Sequence, residues 1–262
     1  MFWDRSRTFR TSAVRARLID DLNLSQERVS GFDLAAYQQA HVVEIGCGGV
    51  GSWTGHALVR KGVGELSLFD DDRAELKNLT RQLFSKKDLG KNKAVRLGRQ
   101  LGREGCFQTT IHAYPYRFQE ALERGVRLRN VRAVLCLVDN NASRVDASRF
   151  GLQENVPVVL AAVSRDALSL YVAVQEPGKA CGACMVPQIV NDHSYPCNLP
   201  GSVDVCLVAA GLVAFVLDSL ICGRHRNWNF RTVFLDGSLP DRCEVKERNP
   251  ACQLCGSNSS QG

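Results

Sequence analysis

A glycine-rich turn sets the strongest limit on what this chain can fold into. Gly46-Cys47-Gly48-Gly49-Val50-Gly51 satisfies G-x-G-x-x-G, directly after the β-prone run Val42-Val43-Glu44-Ile45 and before a helix-like stretch, Ser52 to Lys61, that Gly62 stops. Glycines there let backbone amides approach a phosphate, and the helix N-terminus that follows favours negative charge. A second apolar run, Leu66 to Phe69, ends at Asp70, twenty-four residues beyond Gly46, where an acid can hold a ribose hydroxyl. The arrangement predicts a nucleotide at the C-terminal edge of a sheet. Alone, it does not separate a dinucleotide from ATP.

The same rhythm continues. Apolar runs at Thr109 to Ile111, Val131 to Val138 and Val156 to Ala162 alternate with helix-length segments at Lys93 to Leu101 and Ser143 to Asn155. Strands alternating with helices require a parallel sheet covered on both faces. After Ala162 the rhythm breaks into a strand at Leu168 to Val174, a loop region from Pro177 to about Val203, a buried helix at Val205 to Ile221, and strands near Arg231 to Leu235 and Asp241 to Val245. The expected class is α/β: a Rossmann-like, mostly parallel sheet flanked by helices, with a C-terminal antiparallel extension. Residues 1–40 read as a helical N-terminal arm, 41–255 as the main domain, and 256–262, small and polar, as a disordered tail.

Composition narrows the class further. Of 262 residues, 45% are hydrophobic and 23% charged, as in ordinary globular proteins, which argues against disorder and fibrous architectures. The longest apolar candidate, Val203 to Cys222, is interrupted by Asp204 and Asp218, so no membrane span or membrane partner is expected. Met1 to Arg10 lacks the apolar stretch of a secretory signal. Eleven cysteines, several inside apolar runs, point to a reducing, cytoplasmic location. The net charge of +6, with Arg5, Arg7, Arg10, Arg15 and Arg17 near the start, suits an acidic partner, a nucleic acid or a nucleotide phosphate, or a solvated arm with no partner.

Residues beyond the second strand choose the nucleotide. Asp70-Asp71-Asp72, Asn78-Leu79-Thr80-Arg81-Gln82 and Gly90-Lys91-Asn92-Lys93 bring an asparagine, an arginine and a lysine to the ribose-binding strand. A nicotinamide enzyme needs few extra cations there, whereas a triphosphate losing pyrophosphate needs its charge neutralised. These residues point to ATP. Individually, Arg81 and Lys93 also read as surface charges; their order and spacing carry the inference.

Gly-x-Gly-Gly-Val-Gly, Asp-x-Asp, Asn-Leu-x-Arg-Gln and Gly-x-x-Lys, in this order, resemble the ThiF/MoeB/HesA family, relatives of ubiquitin-activating enzymes, over roughly His41 to Cys255. The resemblance implies an ATP-dependent adenylyltransferase that activates the C-terminal glycine of a small ubiquitin-like protein. It places ATP on Gly46, Gly48, Gly49, Gly51, Asp70, Asp72, Asn78, Arg81, Gln82 and Lys93, with Asp70 and Asp72 serving the ribose and Asn78, Arg81 and Lys93 the phosphates. Asp139, in Val138-Asp139-Asn140 at the end of the fourth parallel strand, is similar to the family's Mg²⁺-organising aspartate; its other reading is a helix N-cap. Arg144 matches a recurrent family arginine of unassigned task.

Cys181-x-x-Cys184 and Cys252-x-x-Cys255 are two C-x-x-C pairs separated by 67 residues. Four thiolates close a tetrahedral Zn²⁺ site with no position left for water, a staple rather than a catalyst; two redox pairs or buried thiols are the competing readings. The family carries the same two pairs. Cys197 stands four residues before Gly201, as a cysteine of the family's crossover loop does, and Gly211 also falls on a family glycine. A thiolate at Cys197 would attack the adenylate carbonyl or join a sulfur relay; it also reads as an ordinary loop cysteine, with Cys206 as a rival.

Two departures stand out: the family's N-terminal arginine pair has no clean match, although Arg15, Arg17 and Arg28 are available, and there is no room for the separate cysteine and ubiquitin-like domains of large activating enzymes. The expected product is a thiocarboxylate for sulfur transfer or a thioester passed to a conjugating enzyme, made by a homodimer with a sulfur donor or conjugating enzyme as further partner. One alternative is a dehydratase acting on threonylcarbamoyladenosine of tRNA, which Gly49-Val50-Gly51-Ser52-Trp53 resembles. Others are a nicotinamide-dependent oxidoreductase and a non-catalytic scaffold.

Overall fold

The computed structural model describes residues 5–11, 23, 28–190 and 201–256. A nine-stranded sheet runs through it, in the order β1-β4-β3-β2-β5-β6-β7-β8-β9. Strands β2 (His41–Ile45), β3 (Glu65–Phe69), β4 (Thr110–Tyr114), β5 (Val131–Cys136) and β6 (Val158–Val163) are parallel. Strands β7 (Ser169–Gln175), β8 (Phe230–Phe234) and β9 (Arg242–Glu244) continue antiparallel, as the change of rhythm after Ala162 predicts.

Helices cover both faces. On one side α1 (Leu34–Gln39), α2 (Gly49–Lys61), α3 (Lys93–Glu104) and α7 (Val203–Cys222) bury Tyr37, Leu58, Leu97, Leu101 and Leu217 against Val42, Leu66 and Leu135. On the other side α4 (Phe118–Glu123), α5 (Asn141–Gln153) and the one-turn α6 (Gly182–Met185) meet Val43, Ile45, Phe69 and Leu160. Helix α7 is long and apolar enough, by length and composition, to cross a membrane, which the expectation from its two aspartates did not anticipate; more than half of it is buried inside this fold. Its Asp218 is served by three partners: Tyr37 Oη (2.7 Å), Lys61 Nζ (2.6 Å) and Arg224 (3.2 Å).

One part of the helical-arm expectation for residues 1–40 is corrected. Arg7–Arg10 is strand β1, antiparallel to β4. Its alternation is short, but Phe9 supplies the anchor: its ring packs over Gly98 of α3, where an added Cβ would meet it at 3.0 Å. Strand β4 also runs beyond the predicted Thr109 to Ile111, to Tyr114, because an edge-side strand tolerates polar His112 on a partly open face. Arg15, Arg17, Cys197 and residues 257–262 of the expected tail lie outside the described residues.

Glu44 breaks the pattern of the core. It sits mid-β2, fully buried beneath Gly51 and Gly55 of α2, and neither carboxyl oxygen has a hydrogen-bond partner among the described residues. Burial, and then the charge of Asp70, raises its pKa well above the glutamate range. The folded protein keeps this proton at pH values where the unfolded chain has released it, so stability falls as pH rises from about 4.5 toward the folded pKa. Glu44→Met is therefore expected to stabilise the fold at pH 8 by about 2 kcal/mol, with a smaller gain at pH 6. Urea unfolding of both proteins at the two pH values measures it.

Candidate functional site

The strand order reverses at β2: the chain moves outward one way through β3 and β4, then returns to β5 on the other side of β2. At such a switch point the connections leave in opposite directions and open a crevice above the strands' C-terminal ends. A cleft of about 810 Å³ lies there, lined by the glycine loop after β2, Asp70 to Asp72 after β3 and Val138 to Arg144 after β5. That volume suits a nucleotide and part of a second substrate.

The loop's geometry depends on two glycines. Gly46 has φ +95°, and its N–H donates to Phe69 O (2.8 Å). A Cβ on Gly51 would fall 1.9 Å from Gly46 O, so α2 could not start so close to the strand. The Cys47 amide donates to Asp70 Oδ2 (2.7 Å) and the Asp72 amide to Asp70 Oδ1 (2.9 Å), which fixes the acid beside the loop. Burial pushes the Asp70 carboxyl up to about 6, against the opposing pull of Lys93 and the Cys47 amide.

All predicted nucleotide residues but one line this cleft: Gly46, Gly48, Gly49, Asp70, Asp72, Asn78, Arg81, Gln82, Lys93 and Asp139 do, while Gly51 is buried behind them at the start of α2. Lys93 Nζ is bound to Asp72 Oδ2 (2.8 Å); burial alone would lower its pKa, but Asp70 and Asp72 outweigh that and raise it. Its place follows from Asn92, which caps α3 through Val95 N (3.0 Å) and donates to Asp70 O (2.7 Å). Asn78 ends a one-turn 3-10 helix, Leu76–Asn78, its Oδ1 accepting from Glu75 N (2.9 Å). Arg81 is held through its carbonyl, which accepts from Trp53 Nε1 (3.0 Å), while its guanidinium donates to Lys77 O (3.1 Å). Gln82, which lines the cleft, is 7% exposed, and its buried Oε1 has no hydrogen-bond partner among the described residues.

The N-cap reading of Asp139 is settled against it: Asn140 caps α5, its side chain accepting from Ser143 N (2.9 Å). Arg144 braces the same turn, donating to Val138 O (2.9 Å) and Asn141 Oδ1 (3.0 Å). Cys206 also lines the cleft, at 3% exposure. A Cβ on Gly49 would lie 2.7 Å from its Sγ. Burial raises this thiol's pKa, with Arg81 opposing, which makes it a poor nucleophile. The sequence reading missed Arg117, Ser164, Arg165 and Tyr171, which extend the cleft past β4 and β6. No local pattern marks them, because only the alignment of neighbouring strands brings them to the cleft.

The four predicted metal cysteines converge at the far side of α5. Cys181 Sγ lies 3.6 Å from both Cys184 and Cys252, and Cys184 Sγ lies 3.5 Å from Cys255. All four sulfurs fall within 4.8 Å of one another. Tetrahedral Zn–S bonds place sulfurs about 3.8 Å apart, so the set fits Zn²⁺. Amides of Asn249 and Leu254 point at Cys184 and Cys252 Sγ (both 3.4 Å), as donors to metal-bound thiolates do. Purified protein is expected to carry one zinc by elemental analysis; Cys252→Ser with Cys255→Ser should abolish it and lower the Tm by roughly 5–10 °C.

Residues 22–254 match the ThiF family. Ubiquitin-like modifier-activating enzyme 5 of Drosophila erecta is 33% identical over 164 residues, 58% of this chain and 40% of that protein; its counterpart in Caenorhabditis briggsae is 32% identical over 168 residues, 57% of this chain and 37% of that protein. The chain thus spans about two fifths of the length of these relatives. Among solved structures, E. coli MccB with ATP superposes with a TM-score of 0.68 at 23% identity, over 85% of this chain and 68% of that one; PaaA gives 0.69 at 19%, over 90% and 76%. The glycine loop, the cleft and three of the four clustered cysteines fall within the matched span, and the chain belongs to the ThiF family.

Proposed function

We propose that this chain is an ATP-dependent adenylyltransferase acting on the C-terminal glycine of a small ubiquitin-like protein. The observation that carries it is the meeting, in one cleft at the switch point, of the glycine loop, Asp70, Arg81, Lys93 and Asp139. Family membership and the likeness to ubiquitin-like modifier-activating enzyme 5 support the same reading and count against the nicotinamide-enzyme and scaffold alternatives.

In the proposed reaction, the glycine carboxylate attacks the α-phosphorus of ATP, forming an acyl-phosphate bond as the bond to pyrophosphate breaks. Two anions must approach, and charge grows on the leaving pyrophosphate, so fixed cations matter most there. Arg81 and Lys93 supply them. Asp72, two-thirds exposed, can release the Lys93 ammonium toward a phosphate without leaving a buried charge unpaired. Asp70 as a carboxylate accepts from the ribose hydroxyls. Asp139 offers a hard oxygen ligand for Mg²⁺, which when bound screens triphosphate charge. Transfer onto Cys197 or onto a sulfur donor, a homodimeric assembly, a conjugating-enzyme partner and a cytoplasmic location belong to the same proposal.

Exchange of labelled pyrophosphate into ATP tests it. Exchange should require a ubiquitin-like protein with an intact C-terminal Gly-Gly and fall roughly 100-fold in Asp139→Ala or Lys93→Ala. Exchange driven by tRNA alone would overturn the proposal in favour of the dehydratase reading. ATP affinity should drop as pH falls through about 6, where Asp70 protonates and loses an acceptor oxygen. Asp70→Asn should bind weakly at every pH, as titration calorimetry would show.

A further inference from the structure

The cleft leaves the arginines of the N-terminal segment unused. Strand β1 carries two of them, Arg7 and Arg10, with Arg5 just before it, all exposed. It lies along α3, because Phe9 packs onto Gly98 and Gly102. The residues that follow those two glycines are Arg99 and Arg103, both exposed and one helical turn apart. Arg7 shares the α3-facing side of β1 with Phe9 and Arg10 lies on the opposite face, so the five guanidiniums flank one edge of the sheet from both sides.

Among the described residues, no nearby carboxylate is paired with these arginines: Asp88 is bound by Arg96, and Glu104 and Glu65 lie against His56, His41 and His112. Arg7 spends its guanidinium on a local carbonyl, Ser6 O (2.8 Å). Unpaired like charges held side by side repel one another, a cost that a polyanion would relieve.

The surface also says which polyanion. A protein partner is gripped by an apolar or aromatic centre, and among the described residues no exposed large hydrophobic side chain belongs to β1 or α3. Nucleic-acid interfaces are polar and strongly positive, and arginine forks match phosphate oxygens. We propose that the β1–α3 edge binds the phosphate backbone of a nucleic acid, independently of the adenylation reading. Arg103 lies ten helical residues from Lys93, about 15 Å along α3, so this surface stands apart from the nucleotide cleft.

Fluorescence anisotropy of the full chain with a labelled single-stranded RNA, with duplex DNA as a second arm and polyglutamate as competitor, tests it. Contact with about four phosphates predicts a roughly 50-fold loss of RNA affinity between 50 and 200 mM salt. Charge reversal at Arg7, Arg10, Arg99 and Arg103 to Glu should weaken binding more than 10-fold and flatten the salt dependence, while the four Arg→Lys changes keep most of it. Pyrophosphate exchange should persist in both variants. Stronger binding of the duplex would make DNA the source of the backbone within the same proposal. Equal loss on reversing Arg149 and Lys179, which lie away from this edge, would reduce the effect to net charge and overturn the assignment. So would displacement by polyglutamate at matched charge, or absence of binding to either nucleic acid at 50 mM salt.

Discussion

The close passage of α2 over the end of β2 governs this structure. Gly51 lies so near the Gly46 carbonyl that no side chain fits between them, and Gly46 turns through a positive φ to make that passage. Because α2 leaves there, the next strand pairs on one side of β2 and β5 on the other. The crevice is the gap between those departures. The loop after β3 and the loop after β5 then face each other across it without any further device, which is how residues far apart in the chain, Asp72 and Asp139, come to line one space.

Electrostatics adds a second constraint. The cleft carries acids, Asp70, Asp71 and Asp72, as well as the cations Arg81 and Lys93. The acids are tied down. Asp70 accepts two backbone amides, Asp72 holds Lys93 and Asp71 pairs with Arg117 (3.0 Å). Such pairing keeps Lys93 charged despite burial, and leaves the cation poised beside the cleft rather than extended into solvent. The cost falls on Asp70, whose proton is held more firmly than an ordinary aspartate's, so the end of the cleft beside β3 is the part most open to control by pH.

Much of this was legible in the chain itself. The G-x-G-x-x-G turn located the first crossover, the alternation of runs gave the parallel strands, and the two C-x-x-C pairs gave the sulfur cluster, because each is a local pattern with a fixed physical meaning. Long-range facts were not legible. Strand β1 depends on Phe9 finding two glycines on α3, a contact about ninety residues away that no local periodicity encodes. Glu44 reads only as part of a short β-prone run, and the glycines of α2 above it show that it is enclosed. Arg117 and Arg165 gained a place at the cleft only once the ends of β4 and β6 were aligned with β2 and β5.

The turn after β5 shows how such a site separates scaffold from chemistry. Three consecutive polar residues, Asp139, Asn140 and Asn141, follow the strand, and any of them can cap a helix by sequence preference. Asn140 takes the cap and Asn141 braces Arg144, whose other nitrogen grips Val138 O. The peptide before Asp139 and the helix after it are thereby fixed by neighbours. Asp139 lines the cleft and is not the cap of α5, so the preference of helix starts for aspartate does not account for an acid at this position.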